Sequence, residues 1–145
     1  MNTTSSLTAS PRRRLHRENL IRPIIAIDGI VNVMGAIVLW AGSSAWASAF
    51  GLENTLPVIA LGAVFLVNGV GYGLTARRPV MPTGWLRGLA AVDFVFGAGA
   101  LAIAAIDPTN ADDWARWVLS GVGDAALVVG VVKAYGASRT APAAE

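Results

Sequence analysis

The chain has 145 residues, of which 54% are hydrophobic and only 14% charged, well below the about 25% charged residues of a typical soluble domain. It has no cysteine, which excludes disulfides, thiolate metal sites and dithiol redox chemistry. Its one histidine, His16, leaves no bis-histidine haem site within a subunit and argues against zinc, so no metal or cofactor is expected.

Residues 1–10 are rich in Ser and Thr and are expected to be disordered. Arg12, Arg13, Arg14, Arg17 and Arg22 follow, a basic segment expected to lie at lipid headgroups. Residues 1–22 are thus read as a disordered basic cytoplasmic tail. Four apolar stretches then run over about 23–41, 56–76, 88–106 and 117–135. At about 1.5 Å rise per residue each matches a hydrocarbon core of about 30 Å. Four such helices in a chain this short would leave a soluble protein without a polar outer surface. The expected fold is all-α: an integral membrane antiparallel four-helix transmembrane bundle over residues 23–136, followed by a disordered tail at 137–145.

The connections carry the orientation signal. Arg77, Arg78 and Arg87 flank the second connection, and Lys133 and Arg139 lie at the end of the fourth stretch and beyond it. Of the 11 basic residues only Arg116 falls on the opposite side. The positive-inside rule then places both termini in the cytoplasm. This distribution accounts for the sequence isoelectric point near 9.7 without a nucleic-acid partner. Trp40, Trp46, Trp114 and Trp117 cluster at the outer boundary, and Tyr72, Trp85 and Tyr135 lie toward the inner one, as an aromatic belt. Trp46, Ala49 and Phe50 fall at helical spacing, so a short interfacial helix is expected there. Ala45-Trp46-Ala47 has the form of a signal-peptide cleavage site, but the apolar region before it is long and interrupted by Asp28 and Asn32, so the first stretch is expected to remain. Prolines 79 and 82 break helix in the second connection.

Polar residues inside the spans carry whatever chemistry there is. Asp28, Asn32 and Gly35 share one face of the first helix by their i, i+4, i+7 spacing. Asn68 lies in the second, Asp93 in the third, and Ser120 and Asp124 in the fourth. Asp28 and Asp93 each lie about 7–8 Å in from the cytoplasmic helix end and Asn68 about 12 Å, with Asp124 nearer the middle. An aspartate at a span centre costs about 2.5–3.5 kcal/mol on insertion scales. These six residues are therefore expected to face the bundle as a polar network or as an ion or proton site. Arg22 precedes Asp28, and Arg87 precedes Asp93, by the same interval, which suggests a parallel repeat of spans one and two in spans three and four.

The Asp28-x3-Asn32-x2-Gly35 pattern, the Leu/Trp-rich end of that helix and Phe50-Gly51-Leu52 resemble a diffuse set of small bacterial four-helix membrane proteins of DoxX-like or SPW-repeat-like appearance. The resemblance runs from about Arg22 to Arg139, although Ser44-Ala45-Trp46 departs from the Ser-Pro-Trp of the SPW repeat. It implies a four-helix fold and no activity; DoxX-like members are linked to quinone-coupled sulfur oxidation. Val67-Asn68-x2-Gly71 is similar to a motif of small fluoride channels, whose third-helix motif this chain lacks. Small multidrug transporters share a first-helix acid, but theirs is Glu.

Three functional expectations follow. The first is a non-enzymatic structural or accessory subunit packing through small-residue faces around an internal Asp/Asn network. The second is a small proton- or cation-linked transporter or channel. The third is a membrane component of a quinone-linked redox system. The expected partners are membrane lipids and a second copy or larger membrane complex.

Overall fold

The computed structural model describes residues 11–78 and 82–140, with side chains placed for 21–78 and 82–138. The described residues form five helices and no strand: α1 (Pro11–Ala41), α2 (Ser43–Ala49), α3 (Leu56–Ala76), α4 (Thr83–Ile106) and α5 (Asp113–Thr140). Four of them, α1, α3, α4 and α5, are long and apolar enough to cross a membrane. Large apolar side chains point outward along all four, with Val67 71%, Val95 75% and Trp117 78% exposed. That inversion of the soluble pattern is what a hydrocarbon surround permits.

Three of the helices outrun their expected spans, α4 by starting at Thr83. α1 starts at Pro11, because the Arg- and Leu-rich residues ahead of Pro23 are good helix formers and proline is well placed in a first turn. The basic segment 11–22 is therefore helical backbone continuous with the span. α5 likewise runs past residue 135 to Thr140. Residues 1–10, 79–81 and 141–145 lie outside the described residues, as do the side chains of Arg12, Arg13, Arg14 and Arg17.

The long helices associate as two intimate pairs, α1 with α3 and α4 with α5. Glycines set the approach. A Cβ on Gly69 would stand 2.8 Å from the Gly29 carbonyl oxygen, and one on Gly97 would stand 2.8 Å from the Gly123 carbonyl oxygen. Neither site accepts a side chain, so backbone meets backbone, the contact that drives helix association where no hydrophobic effect operates.

The connections lock together at one end. α2 brings Trp46 against Trp114, with ring centroids 5.3 Å apart, and Asp112 donates its backbone N–H to the Ala49 carbonyl at 2.7 Å. Gly51 has a φ of 63°, and a Cβ there would lie 2.1 Å from the Thr109 carbonyl oxygen, so both conformation and space demand glycine. Asp107 ends α4 in the left-handed region and accepts the Ala111 N–H at 2.8 Å. Arg116 reaches back to Asp107 at 3.5 Å and donates to the Ala104 carbonyl.

Candidate functional site

The two helix pairs are joined by a buried ionic cluster. Lys133, on α5, has no exposed surface; Tyr72, on α3, is 2% exposed and Asp93, on α4, 8%. The Lys133 ammonium makes an ion pair with Asp28 of α1 through Oδ2 and with Asp93 through Oδ2 at 2.8 Å. It donates a hydrogen bond to Asp28. Its contact with Asp93 is an ion pair without hydrogen-bond alignment. The Tyr72 hydroxyl donates to Asp93 Oδ1 at 2.8 Å, and Lys133 Nζ stands 3.8 Å from the centroid of the Tyr72 ring. Asn32 Nδ2 donates to Asp28 Oδ1 at 3.0 Å and to the Asp28 carbonyl at 2.9 Å.

The cluster is assembled crosswise. Tyr72 follows Gly69 by three residues, and Lys133 follows Gly130 by three. Gly69 is pressed against the Gly29 backbone beside Asp28, and a Cβ on Gly130 would touch Asp93 Cβ at 3.2 Å. Each glycine lets its helix ride close to the acid-bearing helix of its own pair. The residue one turn on then reaches the acid of the other pair, Tyr72 to Asp93 and Lys133 to Asp28. The matching positions of the two acids in the sequence thus correspond to matching places in the two pairs.

Beside the cluster lies a cavity of about 400 Å³ to which all four long helices contribute. Its polar lining is Asp28, Asn32, Asn68, Tyr72 and Asp93; Phe65 and Phe96 meet edge to face in its wall with centroids 5.3 Å apart. Beyond it, Trp85 Nε1 donates to Thr75 Oγ1 at 2.8 Å, tying α4 to α3.

Of the six residues expected to face one another, the structure brings Asp28, Asn32, Asn68 and Asp93 to this cavity. It separates the other two. Ser120 lines a different cavity with Asp113, Arg116 and Trp117. Asp124 is exposed. The face that α5 presents to α4 carries Gly123 and Gly130; Asp124 is the next residue after Gly123, so at 3.6 residues per turn it points about 100° away. Arg22 is half-buried within α1, near the start of its apolar span.

Two cluster members were not among the expected residues. Lys133 reads as a flanking charge at the end of the fourth stretch, and Tyr72 as a boundary aromatic. One signal for Lys133 was present: it is the only lysine in a chain whose other basic residues are arginine, and it sits between apolar neighbours.

The fold and cluster define a class, an all-helical protein with four helices able to cross a membrane and a buried carboxylate–ammonium centre between them. Among known proteins the chain matches no family model, no curated sequence and no solved structure.

Proposed function

We propose that this chain is a small proton- or cation-linked transporter or channel of a bacterial cytoplasmic membrane. We read it as an antiparallel four-helix bundle with both termini inside. The observation that carries the reading is the composition of the cluster: two carboxylates share one ammonium, and the phenol beside them is neutral. With both acids ionised, the group holds one surplus negative charge at the edge of a cavity with largely apolar walls. A surplus charge in a span is unfavourable by about 2.5–3.5 kcal/mol on insertion scales. A proton or a monovalent cation removes it, so uptake and release of one positive charge is the reaction this site is suited to. Asp28 is the residue to carry it, because its side chain is 15% exposed against 10% for Asp93. Asn32 holds Asp28 in place, and Lys133 and Tyr72 hold Asp93.

The test is flux. The full chain is reconstituted into liposomes containing a pH-sensitive dye, and a membrane potential is imposed in buffers with and without sodium or potassium. Flux above that of empty liposomes, reduced at least tenfold by Asp28→Asn, supports the reading. Flux equal to empty liposomes under every ionic condition overturns it.

A second reading, an accessory subunit of a larger membrane complex, is favoured by one feature. Gly84, Gly88, Ala91, Ala98 and Ala102 fall on one exposed face of α4 at spacings of three, four and seven. Small residues on an outward helix face suit packing against another helix. Purification in native lipid with identification of any stoichiometric partner tests it.

A further inference from the structure

A second groove, which shares no lining residue with the cavity beside the cluster, lies along the contact of α1 with α3. It encloses about 570 Å³, within the about 300–1,000 Å³ of small-molecule sites. Arg22 and Arg77 stand at one end of it; Ile30, Met34 and the backbone at Gly29 and Gly73 form much of the rest. Met34 and Ile30 are 54% and 63% exposed, so the groove opens outward along an apolar face. From Arg22 to Met34 the helix advances about 18 Å at about 1.5 Å per residue. Half of a hydrocarbon core of about 30 Å is about 15 Å. The groove therefore has the length of one leaflet's acyl chain, with two guanidinium groups at the headgroup end.

We propose that this groove binds one anionic phospholipid, its phosphate at Arg22 and Arg77 and an acyl chain along Gly73 toward Met34. Charge decides the occupant. Guanidinium pairs with phosphate in a forked geometry, and the apolar length beyond it suits a chain and not a soluble anion. Gly73 supplies the room: a Cβ there would meet nothing within 4 Å. A larger side chain at 73 would project into open space, so it fills the groove without forcing the helices apart.

The full chain is placed in nanodiscs of phosphatidylcholine with a minor share of phosphatidylglycerol, extracted, and weighed by native mass spectrometry. The expected result is one retained phosphatidylglycerol per chain in preference to phosphatidylcholine. Arg22→Gln and Arg77→Gln should each weaken that preference about fivefold, the effect of one basic residue near a lipid surface. Gly73→Leu should reduce retention of both lipids. The variant with Arg12, Arg13, Arg14 and Arg17 all changed to Gln should keep the single bound lipid. Equal retention of the two lipids, full retention in Gly73→Leu, or loss in the fourfold variant matching that of the Arg22 and Arg77 variants would overturn the proposal.

Discussion

Lys133 and Asp28 stand 105 residues apart in the sequence and form a direct ion pair that joins α5 to α1. The same ammonium lies 2.8 Å from Asp93, on the helix that packs against its own. One buried cation therefore ties both helix pairs together, and its removal leaves two carboxylates without a counter-charge.

Lys133→Met tests this directly. Breaking a buried pair by deleting one partner destabilises by about 3–5 kcal/mol. The variant should unfold in detergent at markedly lower temperature than the parent, or fail to accumulate. Unchanged melting would mean that the cluster contributes nothing to holding the pairs together.

Tyr72→Phe removes only the hydroxyl that donates to Asp93. Hydrogen bonds between membrane helices average about 0.6 kcal/mol and reach about 1.7 kcal/mol. Because this acceptor is a carboxylate, the loss should fall in the upper part of that range. A double-mutant cycle with Asp93→Leu, which removes the acceptor, should give a coupling energy of similar size; additive effects would show that the bond contributes no coupling.

The glycines divide by what surrounds them. Gly69→Ala and Gly97→Ala each set a methyl 2.8 Å from a facing carbonyl oxygen. Overpacking of this kind costs about 1–3 kcal/mol. Gly99→Ala and Gly121→Ala meet nothing within 4 Å and should stay within about 0.5 kcal/mol of the parent. Reversible unfolding in mixed micelles, measured for all four variants, should separate the two groups.

Asp124 and Asp28 should respond in opposite ways to the same change. Asp124 is exposed on α5 and belongs to no ion pair among the described residues. Asp124→Leu removes an insertion penalty of about 2.5–3.5 kcal/mol and should insert and fold at least as well as the parent. Asp28→Leu strips a carboxylate from Lys133 and should lower the yield of folded protein. Comparable losses in both variants would mean that Asp124 has a partner of its own, such as a second copy of the chain.

The number and apolar character of the four long helices were legible in the sequence, because hydrocarbon thickness sets the length of an apolar run and each helix satisfies its own backbone. The acids at Asp28 and Asp93 were legible too, as charges that cannot face lipid without cost. Less legible were the outward continuation of α1 through its basic segment and the place of Asp124, since helix phase relative to a neighbour depends on which glycines make the contact.

Chain composition and apolar run length alone determined that this is a helical protein with four stretches able to cross a membrane, and they marked which polar residues fall inside those stretches. Only the tertiary structure decided which of those residues meet. Gly69 and Gly130 bring the helices of each pair so close that Tyr72 and Lys133 reach across to the opposite pair's acid. That reach is a matter of backbone separation and rotation about the helix axes. Neither is written in local spacing, so a lysine that reads as a boundary charge became the centre of the site.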